Sequence, residues 1–495
     1  MKPEAPDIPE VLVIGGGPAG AAVGGLLASW GHSVRILARS DDPSRGLAES
    51  LPPSTHKLLS AVGVLDAVER AGFYRSTGNT VWWASNDRRV EPFDPSGGAT
   101  GFQVHRPAFD RVLLDCAERA GARVTRGVTV RRVRFGESAS MVFEDERRRR
   151  RTISGRFVLD CSGRAGVVAR RYRRAEPGQK TYALVGVWRK RRGAADVTDP
   201  THTVVETYED GWAWSVPISA TTRHAGAMID GTSPRVTAGR RVADAYRAEI
   251  AKAGHLHALL DGWSIERTWA CDASLYSATA YGGPQFLLVG DAASFIDPLS
   301  SFGVKKALAS AWIGAVVVHT CLTHTDRTAV AIDFFSDWER ETYATQLQRS
   351  RDFASEAFAR HRHPFWAARA HESAERSSVN GRPGGGPPAS RDPAMQRALE
   401  GLRERSSIDF RLADGIRLEK RPVIRGREIV LEESFAGMKF AANVDLVTLA
   451  RLACDHRNVP ALVDAYCRTH GPVPLPNVLA GLSLLVAKGI LRQRV

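Results

Sequence analysis

Paired cysteines are the first thing this chain of 495 residues lacks. Its six cysteines, Cys116, Cys161, Cys271, Cys321, Cys454 and Cys467, make no Cys-x-x-Cys and match no metal-ligand spacing. No metal centre is therefore expected, and a reduced, cytoplasmic setting fits best. Long apolar runs are missing too. Val11–Trp30 could pass for a signal peptide, but it has no basic leader and is broken by Gly15-Gly16-Gly17-Pro18-Ala19-Gly20. Elsewhere no stretch reaches the ~18–20 uninterrupted apolar residues that a membrane span needs, so no membrane is expected. Acids are outnumbered, 54 against 68 Lys and Arg, leaving a formal charge of +14. A basic balance raises nucleic acid as a partner, yet no motif interleaves aromatic with basic residues, and none is expected. Part of the charge lies in Arg147–Arg151, which reads either as a solvated hairpin tip or as a docking surface for an acidic partner. No internal repeat is present.

What the chain does have is glycine, 45 residues of it, and a 43% hydrophobic content ample for a large core. The length suggests two or three domains. Glu10–Ile14 reads as a parallel strand, Pro18–Gly31 as a helix and Ser33–Leu37 as a second strand, the start of a βαβ unit. Arg106–Ala120 reads as a helix with Leu113, Leu114 and Ala117 on one face, and short strands over 123–160 end at Val158-Leu159-Asp160. Tyr182–Trp188, Val204–Tyr208, Trp212–Val216 and Ala225–Ile229 alternate like an antiparallel sheet with one buried face, within a region of about 180–275. A helix over 241–259, a buried strand Phe286–Val289 and a long apolar helix Val304–Cys321 follow. The first domain so outlined covers 1–365. Ser, Arg, Gly and Pro then dominate 366–393, which reads as a flexible linker. Residues 394–495 read as a separate unit. It opens with a helix, has hairpin-like segments near 408–431, and ends with helices around 445–455, 459–469 and 476–488, an order that suggests a small winged-helix-like domain.

The strongest local signal is Gly15-x-Gly17-x-x-Gly20, after a strand and with Pro18 and Ala19 opening a helix. Gly15 permits a tight turn, Gly17 lets the backbone approach a pyrophosphate, and Gly20 allows close helix–strand packing at a helix N-terminus that favours negative charge. The acid that usually ends the second strand and holds the adenosine ribose is missing. Ala38 stands there, followed by Arg39, which either lies near the adenine end or is a surface residue.

A second motif, Leu288-Val289-Gly290-Asp291-Ala292-Ala293-Ser294-Phe295-Ile296-Asp297-Pro298, lies far along the chain. Here the sequence resembles the FAD-containing aromatic hydroxylase superfamily. The resemblance implies that Asp291, after Gly290, holds ribityl or ribose hydroxyls. It also matches Arg106, in His105-Arg106-Pro107-Ala108-Phe109-Asp110, to an arginine approaching the FAD diphosphate, and Asp160-Cys161-Ser162-Gly163-Arg164 to the Asp-x-x-Gly-Arg turn. The implied fold class is α/β: a Rossmann-like FAD-binding domain with an antiparallel substrate sheet, plus the C-terminal winged-helix-like domain.

Three further segments resemble the tryptophan-halogenase-like branch. Trp212-Ala213-Trp214-Ser215-Val216-Pro217 is similar to its Trp-x-Trp-x-Ile-Pro, and Phe295-x-x-Pro298-x-x-Ser301-x-Gly303 to its halide-side loop. Glu49-Ser50-Leu51-Pro52-Pro53-Ser54 is similar to the segment that covers the flavin, which brings in Ser50 as a cofactor contact. Trp212 and Trp214, two apart on a strand, face one side; they are either core or a wall shielding the flavin from water. Glu49 is a candidate general base or a support of the flavin loop.

Halogenases of this branch deliver hypohalous acid through a lysine. The expected place, Ala71–Asn79, has none, and the later loop reads Pro298-Leu299-Ser300-Ser301-Phe302-Gly303, with Ser300 for the usual glutamate and Phe302 for the usual threonine. That argues for hydroxylation: reduced FAD and O2 give a C4a-hydroperoxide whose distal oxygen passes to an indole or phenol carbon. With no second nucleotide fingerprint, the electrons come either from transiently bound NAD(P)H or from a separate flavin reductase. Ala48–Ser54, Gly78-Asn79 and Trp82-Trp83 also look like flavoproteins that mature peptide-derived quinone cofactors, such as the monooxygenase group that hydroxylates tryptophan for quinohemoprotein amine dehydrogenase. The substrate there is a tryptophan in a protein or peptide. The C-terminal unit is similar to small winged-helix domains that pair a peptide against their sheet edge, with a structural cap or dimerisation element as the plainer reading and DNA binding as a third. Two alternatives to hydroxylation stay open: a halogenase using a lysine such as Lys57, and a non-catalytic flavin-binding partner that holds a client protein.

Overall fold

In the computed structural model, residues 9–40, 46–96, 98–232, 241–323, 327–370, 398, 408–412, 419–425, 428–434, 440–441 and 444–493 are described. The chain divides into two compact units, Met1–Arg376 and Ser377–Val495.

The first unit runs in order through β1 (Val11–Ile14), α1 (Pro18–Ser29), β2 (Val34–Leu37), β3 (Ala48–Leu51), β4 (Gly78–Trp82), β5 (Gly101–His105), α2 (Arg106–Arg119), β6 (Arg123–Thr125) and β7 (Phe157–Asp160). It continues through β8 (Thr181–Lys190), β9 (Thr203–Tyr208), β10 (Gly211–Ser219), β11 (Thr222–Asp230), β12 (Trp263–Asp272), β13 (Phe286–Leu288), α3 (Gly303–Thr323) and α4 (Thr328–His361).

A sheet with parallel strands in the order β13-β7-β1-β2-β6 forms the centre, extended at one edge by the short antiparallel strand Gly282–Gly283. β1 reads Val-Leu-Val-Ile and is buried at every position, as a central parallel strand covered on both faces requires. α1 is apolar nearly all round because it too is enclosed. Gly24 brings it onto Ile36 of β2, and Gly25 onto Ala117 of α2.

The second sheet has seven strands, in the order β12-β8-β11-β10-β9-β4 followed by Arg89–Pro92. Sequence alternation predicts one buried face; the structure buries both. The helices Val242–Ile250 and Gly254–Leu259 cover the outer face, where Leu184, Tyr208, Ala225 and Ala227 pack with Tyr246, Ile250 and Leu256. These are two helices where one was expected over 241–259. On the inner face Val81, Ala183, Val185, Trp212 and Met228 pack with Ala354 and Ala357 of α4 and with Phe365 and Trp366. Those last two belong to a helix Pro364–Ala370, which runs into the stretch expected as linker from 366. Polar composition there did not outweigh Trp366, a large side chain 2% exposed. Residues 371–393, the rest of that expected linker, lie outside the described residues.

The Arg147–Arg151 run lies at a hairpin. Its tip folds onto Asp145, whose carboxylate accepts from the Arg147 and Arg149 amides, and Arg150 pairs with Glu144. Among the described residues no single helix is long and apolar enough to cross a membrane, and no group of three or more His, Cys, Asp or Glu could hold a metal ion.

The second unit has its own core. The strand Phe410–Leu412 pairs antiparallel with Leu491–Gln493, and Glu419–Arg425 pairs with Glu428–Ser434 as a hairpin. The helices Leu446–Asp455, Val459–His470 and Leu475–Ala487 bury Leu449, Leu462, Tyr466, Val478 and Leu482 between them.

Candidate functional site

The glycine turn is built as its spacing predicts. Gly15 has φ 102°, a left-handed value that favours glycine, and a Cβ on it would meet the Cys161 carbonyl oxygen at 2.5 Å. A Cβ on Gly20 would meet the Gly15 carbonyl oxygen at 2.0 Å, so the first turn of α1 lies directly on the end of β1. Gly17 is the N-cap of α1 and provides no side-chain cap, and Pro18 takes the first helical position. The first-turn amides are therefore open to a ligand, and Ala19 is buried behind them. The space in front of Gly17 leads to Arg106, whose Nη2 would lie 3.9 Å from a Cβ there, and to Asp110 at 3.6 Å.

Arg106 opens α2 after β5. Its Nε and Nη2 donate to Asp110 at 2.9 and 3.1 Å, and its Nη1 donates to Glu49 of β3 at 2.5 Å. Glu49 is thus engaged with an arginine that faces the glycine turn.

The second motif meets the first. Gly290 follows β13 with φ 66°, and a Cβ on it would sit 3.0 Å from the Cβ of Ala19 in α1. Asp291 stands next to it. Burial pushes the Asp291 carboxyl up, and Lys306 and Arg106 draw it back down. The loop is gripped from behind by residues that sequence reading missed. Lys306 of α3, fully buried, donates to the carbonyls of Gly290 and Ser294 at 2.8 and 2.9 Å. Ser310 accepts from the Gly290 amide at 2.9 Å and donates to Glu339 of α4, whose other oxygen lies 3.6 Å from Lys306. Asp160, at the end of β7, accepts from the amides of Ser162, Val168 and Ala169 and so ties down its own turn.

Pro298 begins a short 3-10 turn, Ser301 closes it with φ 46°, uncommon outside glycine, and Gly303 begins α3. Ser50 is buried on β3 opposite Gln103. Arg39 is exposed beyond β2 and makes no hydrogen bond or ion pair with the other candidates. Lys57 is exposed on a short helix, whereas Lys305 of α3 donates to Ser54 at 3.0 Å.

Register maps the inner face of the large sheet, since paired residues share a face. Arg267, Val187, His224 and Val216 form one row across β12, β8, β11 and β10. The next row is Trp269, Val185, Gly226 and Trp214, and the one after it is Cys271, Ala183, Met228 and Trp212. Trp212 is buried among Trp83 and its neighbours; Trp214 lies flat over Gly226 and stays half-buried, as do Trp269 and Cys271. Leu47, Phe295 and Leu299, from the segments beside the glycine and Gly290 motifs, pack on this same face. The Ala48 amide donates to Nδ1 of His224 at 3.2 Å, which fastens β3 to the sheet. Nothing in the local sequence marks His224 or Arg267, because their neighbours come from strands far apart in the chain.

Residues 9–312 match the FAD binding domain family. The chain belongs to that family. Among curated proteins, this FAD-binding chain is 30% identical to the tryptophan 2-halogenase of Chondromyces crocatus over 342 residues, 67% of this chain and 65% of that protein. It spans about two thirds or slightly less of the length of the first such relatives, which include flavin-dependent halogenases of Armillaria mellea at 64%. Among solved structures, the myxobacterial chondrochloren halogenase is 27% identical with a TM-score of 0.68, covering 75% of this chain and 87% of that one. A peptidyl tryptophan dihydroxylase essential for tryptophylquinone cofactor biogenesis shares the fold at 22% identity and a TM-score of 0.65, covering 97% of this chain and 99% of that one. These likenesses support the aromatic hydroxylase and halogenase-like branch of FAD proteins that the motifs resemble.

FAD fits the residues present. The open cradle at Gly17, faced by Arg106 and by the amides of α1, suits the diphosphate; Asp291, set at the join of the two motifs, suits hydroxyl groups of the ribityl chain. FAD supplies the redox chemistry when bound. The protein supplies binding, orientation and a covered face opposite.

Proposed function

We propose that this chain is a FAD-dependent monooxygenase that hydroxylates an aromatic ring. The observation that carries this reading is the inner sheet face. It presents half-buried Trp214 and Trp269 toward the segments that hold the cofactor, so a flat ring can stack there with water kept away. Trp212, in the next row of the same face, is packed into the core against Trp83. Glu49, engaged by Arg106, keeps the cofactor arginine in place rather than acting as the ring's base. The electrons come from NAD(P)H or a separate flavin reductase, in a reduced, cytoplasmic setting.

The finer proposal is that the ring belongs to a tryptophan of a protein or peptide, hydroxylated for a quinone cofactor. It is supported by the likeness over nearly the whole chain to a peptidyl tryptophan dihydroxylase and by the presence of a second unit with its own core.

A second reading is favoured by Lys305. Its ammonium reaches Ser54 and lies 5.1 Å from the Phe302 ring, the kind of position from which a lysine could deliver a halogen, and the sequence relatives are halogenases. One experiment separates the two. Indoles, phenols and a tryptophan-containing precursor protein are incubated with enzyme, reduced FAD, O2 and bromide, and the products are weighed by mass spectrometry. A gain of one or two oxygen atoms without bromine is the expected result. Incorporated bromine that disappears in Lys305→Met would replace hydroxylation with halogenation.

A further inference from the structure

Arg267 has a guanidinium Nε with no acceptor. Its Nε is buried with no hydrogen-bond partner, and it makes no ion pair among the described residues; the Trp269 ring, 5.9 Å away, is its contact. The strand bulges between Ile265 and Arg267, so the adjacent Glu266 lies on the same side of the sheet, where Arg189 holds its carboxylate at 2.7 Å. A guanidinium carries five donors, and burying one unpaired is unfavourable unless something else arrives to accept from it.

A second donor stands beside it. His224 is 1% exposed. Its Nδ1 accepts from the Ala48 amide, so its proton is on Nε2. Its ring lies 5.7 Å from His105, which the Gly46 backbone engages, and 6.2 Å from Trp269. Burial, with His105 and Arg267 close by, pushes His224 down to about 3, which leaves a neutral ring that donates rather than a second cation. Arg267 and His224 thus stand as donors in one row at this end of the sheet face, where the Glu266 carboxylate is already taken up by Arg189.

We infer that Arg267 and His224 form an anion subsite that takes a carboxylate carried on the aromatic substrate, while the ring lies on the neighbouring row beside Trp269. The inference rests on the aromatic-substrate reading above and adds the chemical class of the substrate's second group. The subsite adjoins the cofactor side, since the strand whose Ala48 amide holds His224 also carries Glu49, the partner of Arg106. The carboxylate can come from a free aromatic acid or from an acidic residue next to a peptide tryptophan.

The test is binding to the FAD-loaded protein by calorimetry, with two probe pairs. One pair is indole-3-acetate against 3-methylindole. The other is acetyl-Glu-Trp-amide against acetyl-Gln-Trp-amide. The acidic member of at least one pair should bind about tenfold tighter or more, the gain of one charge-assisted hydrogen-bonded pair. That preference should vanish in Arg267→Met and survive in part in Arg267→Lys, with flavin content unchanged in both. The pair that discriminates identifies the source of the carboxylate. If all four probes bind and neither pair discriminates, the subsite is overturned and the aromatic reading stands. If none binds, both fall together.

Discussion

Gly20 shows how much a single position carries here. With the Gly15 oxygen 2.0 Å from where its Cβ would be, any side chain must push α1 off β1, and that obstacle is backbone, which cannot rotate away. Gly20→Ala should destabilise the protein by about 1–3 kcal/mol, as overpacking does, and lower the flavin recovered per chain. Urea unfolding and the flavin absorbance ratio read the two effects separately. His224 offers a second test. Its folded value of about 3 lies below the ordinary 6.5, so below pH 6.5 the unfolded chain binds a proton that the folded chain refuses. Its contribution is complete above pH 6.5 and is lost as pH falls toward 3, at up to about 1.4 kcal/mol per unit. His224→Leu should therefore flatten the fall in unfolding free energy between pH 6.5 and 5 relative to the parent; an unchanged slope would mean that the other depressed histidines, His105 among them, carry it. At this scale the sequence was legible where function needs a special backbone or a short motif: Gly15, Gly20, Gly290, Arg106. Arg267 and His224 were illegible because what defines them is a register between β12, β8 and β11, and no short motif encodes a row across three strands.

Elements extend the argument to the clamp behind Asp291. α3 was readable as a long apolar helix and α4 was not read at all, and the pairing of Lys306 with Glu339 depends on how the two helices lie against each other. Both side chains are fully buried, and the pair holds the Gly290–Ser294 loop through Lys306 and Ser310. Replacing one partner leaves the other as an uncompensated buried charge, so Lys306→Met should cost about 3–5 kcal/mol. The double variant Lys306→Met with Glu339→Gln should recover much of that stability without recovering FAD affinity, because the two carbonyls of the loop still lack their donor. Thermal unfolding and an FAD titration of the apoprotein distinguish the two. Recovery of both together would mean that the pair supports the core and not the loop. The same scale explains the second buried face of the large sheet. Alternation along β8 and β10 was visible, yet apolar residues stand on both phases of it, and only the covering helices show why.

At the scale of the whole molecule, the chain divides into the compact units Met1–Arg376 and Ser377–Val495. Each unit has what an independent fold requires. The first contains every residue assigned to FAD. The second closes its own core, with Leu449, Leu462, Tyr466 and Leu482 buried and a strand pair joining Phe410–Leu412 to Leu491–Gln493. Residues 377–495 expressed alone should therefore give a cooperative, helix-rich melt by circular dichroism, and residues 1–376 should still take up FAD stoichiometrically. The comparison of substrates then decides what the second unit is for. If it recognises a peptide, its removal should raise KM for a tryptophan-containing precursor protein by tenfold or more, on the order of one lost docking contact, and leave the rate on a free indole unchanged. If it is a structural cap, the free indole rate and the flavin content of 1–376 should fall together, and the precursor should show no loss beyond theirs.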